Sequence, residues 1–301
     1  MGRTVGLFLT GLDNDYQQRL KEDALRRAKH LAFTVHVELA GNDPSRQIAQ
    51  LTEAIQRRAS SGMTAMLVCP VSEESLAATA RAATAAGIDW VLLNRAADYL
   101  DELRREFPAR VIFTVLPDQQ EIGRIQGWQV KALAAPGEQV LCITGRPETW
   151  SARLRLAGLR EVAGSANPIA TVNGDWTSEG ARRAVEQWLG ANPPHAPLGV
   201  FVAQNDDMAL GTRQAARDAA ARWSLPAISS VPIVGCDGSP RFGQRLVRER
   251  RLAGTVAVSS AAGPALDWLR RSLDGAARPA AQVLLPVSSF PVIEELTRRA
   301  G

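Results

Sequence analysis

Short apolar runs alternate with helical patterns along the entire chain, and this alternation limits the possible folds more than any other feature. "TVGLFL", "TVHVEL", "AMLVC" and "DWVLLN" each read as a buried strand. The helices between them repeat at 3.6 residues. Leu20, Ala24, Ala28 and Leu31 share one face of the first, and Ile48, Leu51, Ile55 and Ala59 one face of the second. Asp43 followed by Pro44 supplies an N-cap and a first-turn residue. Strand, helix and strand at this spacing predict right-handed βαβ units and a parallel sheet.

The pattern then begins again. "RVIFTV" leads into a helix from about Glu121. It is followed by "QVLCITG", a helix over Trp150–Ala163, "IATVN", a helix over Ser178–Leu189, "GVFVAQ", a helix over Asp206–Ala221, and "PIVGCD". Ala181, Val185 and Trp188 mark a buried helix face, and Ser239-Pro240 reads as the cap of a further helix. "LAGTVAV", a helix over Ala261–Leu273, "QVLLPVS" and a short terminal helix complete the chain. One sheet cannot easily accommodate so many strands. The expectation is an α/β fold of two doubly wound parallel-sheet lobes, which suits 301 residues.

Composition excludes several classes. No apolar run approaches the roughly 18 residues needed to span a bilayer. The net charge is +4, but the basic residues are scattered as pairs such as Arg57-Arg58 and Arg182-Arg183 on predicted polar helix faces. No basic cluster is interleaved with aromatics, so nucleic acid is not an expected partner. Cys69, Cys142 and Cys236 each end an apolar run, with no CxxC and no neighbouring histidine; they read as buried thiols, and neither a metal nor a cofactor is called for. His30, His36 and His195 are isolated, the first two around a predicted strand and the third in "NPPHAP". No GxSxG, P-loop or dinucleotide fingerprint occurs, and no nucleophile-plus-base set can be assembled, so an enzyme is not expected. The N-terminus enters a strand at once, without a signal-peptide pattern or room for a helix-turn-helix. That leaves an export product trimmed of its leader or a cytoplasmic protein as alternatives.

In open α/β sheets ligands bind outside the carboxyl ends of the strands. The residues at those ends are Thr10, Asp13, Asn14 and Tyr16; Asn94 and Arg95; Trp150, Arg153 and Arg155; Asp175 and Trp176; Gln204, Asn205 and Asp206; and Asp237. Amides, carboxylates and guanidinium groups can each address two neighbouring hydroxyls, and an indole can cover the C–H face of a sugar ring. Each also has a plainer reading: Trp150 and Trp176 as packing, Asn205 and Asp206 as a helix cap, Arg155 as an exposed helix arginine, Asp237 with Gly238 as a turn.

"FVAQNDDMALG" (Phe201 to Gly211), "PIVGCDGSP" (Pro232 to Pro240) and "LAGTVA" (Leu252 to Ala257), with "TGLDNDY", "LLNR" and "SARLRLAG", resemble the type I periplasmic sugar-binding proteins, the ribose-binding branch above all. The first segment also resembles the effector domain of lactose-repressor-type regulators. The resemblance implies two lobes joined by a three-strand hinge with crossings near Phe113, Val258 and Ser288. One lobe would hold 1–112 plus 259–287 and the other 113–258 plus 288–301. It implies a solute receptor of a bacterial ABC-type importer: periplasmic, monomeric, without catalytic activity, partnered by the transporter's membrane subunits. Such a receptor closes its hinge on a monosaccharide or sugar-like polyol in the cleft. Thr10, Asn14, Tyr16, Asn94, Arg95, Arg155, Trp176, Asn205 and Asp237 would bind the ligand, with Asp13, Trp150 and Gln204 as further candidates. The family's aspartate before Arg95 is Asn94 here, and Val258 stands where the ribose branch has glutamine, so ribose itself is not implied. The alternative implied is a regulator's effector domain, which would be cytoplasmic.

Overall fold

The computed structural model describes residues 3–72, 76–191, 197–224 and 226–300; His195 lies outside the described residues. The chain divides into two compact units, residues 1–117 with 260–285 and residues 118–259 with 286–301. It therefore passes from one to the other at three points.

Unit 1 begins β1 (Arg3–Leu9), α1 (Asp15–His30), β2 (Phe33–Leu39), α2 (Pro44–Gln56), α3 (Arg58–Ser61), β3 (Met63–Val68), α4 (Ala77–Ala85), β4 (Asp89–Leu93), α5 (Tyr99–Glu106) and β5 (Ile112–Pro117). Unit 2 carries α6 (Gln119–Leu133), β6 (Gln139–Thr144), α7 (Trp150–Ala163), β7 (Ile169–Asn173), α8 (Ser178–Ala191), β8 (Leu198–Ala203), α9 (Asp206–Trp223), α10 (Pro226–Ser230), β9 (Ile233–Asp237), α11 (Gly243–Arg248) and β10 (Gly254–Val258). The chain returns to unit 1 for α12 (Ala262–Leu273) and β11 (Gln282–Leu285), then ends in unit 2 with β12 (Val287–Phe290) and α13 (Ile293–Ala300).

The sheet of unit 1 runs β2-β1-β3-β4-β5-β11, parallel throughout. That of unit 2 runs β7-β6-β8-β9-β10-β12. Its inner pairs are parallel, and β12 lies antiparallel to β10. The second sheet is thus mixed rather than purely parallel. Chain order reverses between β1 and β3 in one sheet and between β6 and β8 in the other, which makes the carboxyl ends of these strands the switch points.

Period-2 alternation puts one strand into two cores. Val5, Leu7 and Leu9 of β1 pack with Leu20, Ala24 and Ala28 of α1 and with Leu266 and Leu269 of α12, while Phe8 faces Leu51, Ala80 and Leu100 on the other side. In unit 2, Leu141 and Ile143 of β6 pack with α8 and α9, and Val140 and Cys142 with Val130, Leu159 and Ala163 of α6 and α7. On α8 the enclosed residues are Ala181, Val185 and Leu189, with Trp188 at their margin.

Glycine sets two helix crossings. A Cβ on Gly158 would be driven into the Gln120 carbonyl and one on Gly123 into the Arg155 carbonyl, so α6 and α7 meet backbone to backbone. Gly211 of α9 meets the Ser178 carbonyl of α8 in the same way.

Several local expectations change. Asp43 does cap α2, accepting from the amides of Ser45 (2.8 Å) and Arg46 (3.2 Å). That helix ends at Gln56, however, so Ala59 falls in α3 and is exposed. Ser239 does not cap α11: the helix starts at Gly243, and Ser239 Oγ closes a turn by accepting from Phe242 N (3.2 Å). His36 sits inside β2, opposite Gly6. "QVLLPVS" is two strands in two sheets, because Pro286 lacks the amide hydrogen a ladder requires. The passages between units fall at 117/118, 259/260 and 285/286. Phe113 lies within β5, opposite Val91, and Ser288 within β12, opposite Ala257.

Candidate functional site

At the strand ends of unit 1, Asn14 begins α1 as its N-cap, its Oδ1 accepting from Gln17 N (3.0 Å). This sets the first helical turn and with it Tyr16, whose hydroxyl donates to Asn94 Oδ1. The Asn94 backbone is left-handed (φ +66°), a conformation asparagine tolerates better than most residues. Its amide donates to the Val115 carbonyl (2.8 Å), and Nδ2 approaches Cys69 Sγ (3.8 Å). Tyr16, Asn94 and Cys69 therefore converge beside the switch point from α1, β4 and β3. Arg95 is half-buried, its carbonyl accepting from the Thr114 hydroxyl (2.6 Å). Thr10 and Asp13 turn toward the loop after β2: the Thr10 carbonyl accepts from Asn42 N (2.7 Å), and Asp13 Oδ2 from Asn42 Nδ2 (2.9 Å). Gln47, which the sequence reading passed over, is buried and braces the end of β3. It donates to the Cys69 carbonyl (2.9 Å) and accepts from Val71 N (2.9 Å).

Unit 2 gathers the larger constellation. Arg155 is only 7% exposed, which overturns its reading as an exposed helix arginine. Its Nε donates to Gln119 Oε1 (2.7 Å), Nη1 donates to the Gln204 carbonyl, and the guanidinium lies 5.5 Å from the Trp176 ring centroid, within cation–π range. Asp175 and Trp176 both have positive φ (+52° and +64°), a turn assisted by Asn173 Oδ1 accepting from Asp175 N (2.9 Å). The indole lies over Gly145, where any Cβ would collide with it. Trp150 begins α7 and is half-buried.

Asn205 does two tasks. Its Oδ1 caps α9 by accepting from Met208 N (2.7 Å), and Nδ2 holds the Trp176 carbonyl (3.0 Å). A primary amide has two donor hydrogens and two acceptor lone pairs, so one of each remains for a ligand. Gln204 is fully buried, with both side-chain ends engaged: Oε1 accepts from Gly145 N (3.0 Å), and Nε2 donates to the Ala152 carbonyl (3.0 Å). It braces Gly145 and α7. Asp237 ends β9 with φ +94° and is 6% exposed.

Beneath Asp237 lies a carboxyl group that sequence reasoning treated as part of a helix start. Asp206 is buried. Its Oδ1 accepts from the Thr255 hydroxyl (2.7 Å) and its Oδ2 from Gly238 N (2.8 Å), and Gly235 and Gly243 leave it space where a Cβ would collide. Burial raises its pKa well above the ordinary carboxylate value, with the Asp237 charge adding to the shift against the two donors. Burial likewise pushes the Cys236 thiol up to about 12. Gln119 and Gln126 were also missed. Gln126 Nε2 bridges the carbonyls of Ala203 (2.9 Å) and Gly235 (3.1 Å), where β8 and β9 part after their last paired residues. A helical spacing of glutamines at 119, 126 and 129 amid apolar residues was the available signal.

Among the described residues no group of three or more His, Cys, Asp or Glu could hold a metal ion, and no helix is long and apolar enough to cross a membrane.

The fold and these strand-end residues define a class: a two-unit α/β protein with polar residues gathered at the switch point of each sheet. The chain belongs to the family described as the periplasmic binding protein domain, whose pattern matches residues 5–265. It is 26% identical over 256 residues to the ribose import binding protein of Salmonella typhimurium, covering 84% of this chain and 78% of that one. To the galactofuranose-binding protein of Escherichia coli it is 23% identical, covering 89% and 81%. The Caulobacter myo-inositol binding protein bound to myo-inositol has a similar fold, with a TM-score of 0.78 at 22% identity and coverage of 100% and 99%.

Proposed function

We propose that this protein is a solute-binding receptor of an ABC-type importer that takes a monosaccharide or sugar-like polyol. It acts outside the cytoplasm as a monomer, delivering its ligand to the transporter's membrane subunits. The observation that carries the reading is the arrangement in unit 2: a buried arginine stacked on an indole, an asparagine with free amide valences, and a carboxylate at the end of β9. These groups match the donors, acceptors and C–H faces of a polyhydroxylated ring. Relatives support the class: besides ribose and galactofuranose proteins, the chain is 29% identical over 203 residues to a xylitol-binding protein of Mycolicibacterium smegmatis. The regulator reading finds no support in the relatives named here, and family membership makes the chain a binding protein rather than an enzyme.

Unit 1 contributes Tyr16, Asn94 and Arg95 to recognition, with Thr10 and Asn14 shaping the loop that carries them. Unit 2 contributes Arg155, Trp176, Asn205 and Asp237, with Gln204 and Asp206 holding them. Asn94 in place of an acid gives unit 1 an amide that both donates and accepts, which suits an uncharged ligand. A thermal-shift screen over pentoses, hexoses, inositols and acyclic polyols tests the class, since ligand at 100 times its Kd adds about 2.7 kcal/mol. Calorimetry with the best ligand then compares wild type with Asp237→Ala. A loss of a hundredfold or more is expected from removing a buried charged acceptor (about 3 kcal/mol); undiminished affinity removes Asp237 from the site.

A further inference from the structure

Unit 2 holds a cavity of about 840 Å³ away from the residues discussed so far. It opens where β9 begins: Ile233, the first residue of that strand, lines it, and Asp237 is the last. Four residues of strand separate the two ends by roughly 13 Å. Arg213, Arg248, Arg250, Arg251 and Arg299 contribute to the wall, from α9, α11, the loop before β10 and α13. No acidic residue is among the described residues that line it.

These guanidinium groups are incompletely matched. Glu249 stands 3.9 Å from Arg251 and is shared with Arg245 at 3.6 Å; Glu295 pairs with Arg299. Arg248 donates to the Pro240 carbonyl (3.3 Å) and Gln244 Oε1 (3.1 Å), both neutral, and stacks near Phe290. Arg213 Nη1 donates to the Arg251 carbonyl (2.8 Å), which fixes the side chain, while its Nε is buried without a hydrogen-bond partner. Burial, together with the charges of Arg217 and Arg251, lowers the pKa of Arg213, so positive charge is crowded here rather than neutralised. An oxyanion in the cavity would relieve that repulsion and supply acceptors to forked donors suited to phosphate. Val247 and Leu252 add apolar wall, and the volume is that of a small-molecule site rather than of a bare ion.

We propose that this cavity is a second binding site, for a phosphate-bearing ligand, at the end of unit 2's sheet opposite Asp237. It is independent of the sugar reading, and its test does not involve sugar. Calorimetry of the full chain with inorganic pyrophosphate at low salt is compared with the double variant Arg250→Gln/Arg251→Gln, which keeps Arg213, and with Arg57→Gln, a unit 1 residue that does not line the cavity. Co-sedimentation with phosphatidylglycerol-containing and pure phosphatidylcholine vesicles separates a lipid phosphate from a free one. Saturable pyrophosphate binding that weakens at least tenfold in the double variant, falls with salt and is unchanged in Arg57→Gln supports a soluble ligand. Binding confined to the anionic vesicles, with the same variant pattern, supports a lipid headgroup. Absence of both, or equal binding by all three proteins, overturns the proposal.

Discussion

Replacing Asp206 by alanine removes the acceptor for two enclosed donors at once, the Thr255 hydroxyl and the Gly238 amide. Each buried donor left unmatched costs about 1–3 kcal/mol, which sums to roughly 2–6 kcal/mol. Relief of the repulsion between Asp206 and Asp237, and of the burial of an ionisable group, offsets part of this. The expected net loss is about 2–4 kcal/mol, or roughly 5–15 °C in the unfolding midpoint of a unit this size. Differential scanning calorimetry and urea unfolding followed by tryptophan fluorescence read it. The Asp206→Asn variant separates charge from hydrogen bonding. Because the folded pKa is raised, the folded protein binds more protons than the unfolded chain from about pH 4 up to the folded value. In wild type this residue therefore makes stability fall as pH rises through that window, and it contributes no slope below it. Asp206→Asn should lose that part of the slope. A loss below about 1 kcal/mol for alanine in a folded protein, or an unchanged pH slope for asparagine, refutes the account.

Further expectations concern packing and exposure. Gly145→Ala should displace the Trp176 indole, shifting its fluorescence, costing about 1–3 kcal/mol and weakening sugar binding; unaltered emission and affinity would contradict the close approach. Gly158→Ala should separate α6 from α7 at a similar cost in thermal unfolding, and a neutral or stabilising effect would contradict their backbone contact. Cys69, Cys142 and Cys236 are buried with raised pKa values, the last two to about 12, so a thiol reagent should label none of them quickly in the native protein and all three once denatured.

The candidate site was partly legible because its residues lie at the carboxyl ends of strands. Apolar runs locate the strands, and the residues after them follow, which is how Asn94, Trp176, Asn205 and Asp237 came into view. What each side chain does there was not legible. Asn205 reads equally as a cap or as a contact, and the structure shows a cap that also holds Trp176. Gln204 reads as a contact and is enclosed. Arg155 lies 36 residues from Gln119 and 49 from Gln204, distances over which no periodicity carries information.

The sequence by itself determined the alternation of strands and helices, the cap at Asp43 and the restart that demands two sheets. These are local properties, expressed in the 2- and 3.6-residue periods of single segments. The tertiary structure alone decided that Pro286 divides one apolar run between two sheets, that β12 runs antiparallel, that Arg155 is buried and that Asp206 lies under Asp237. Each of these depends on which distant segments share the same space, and the hydrogen bonds and charges that enclose a side chain exist only after those segments meet.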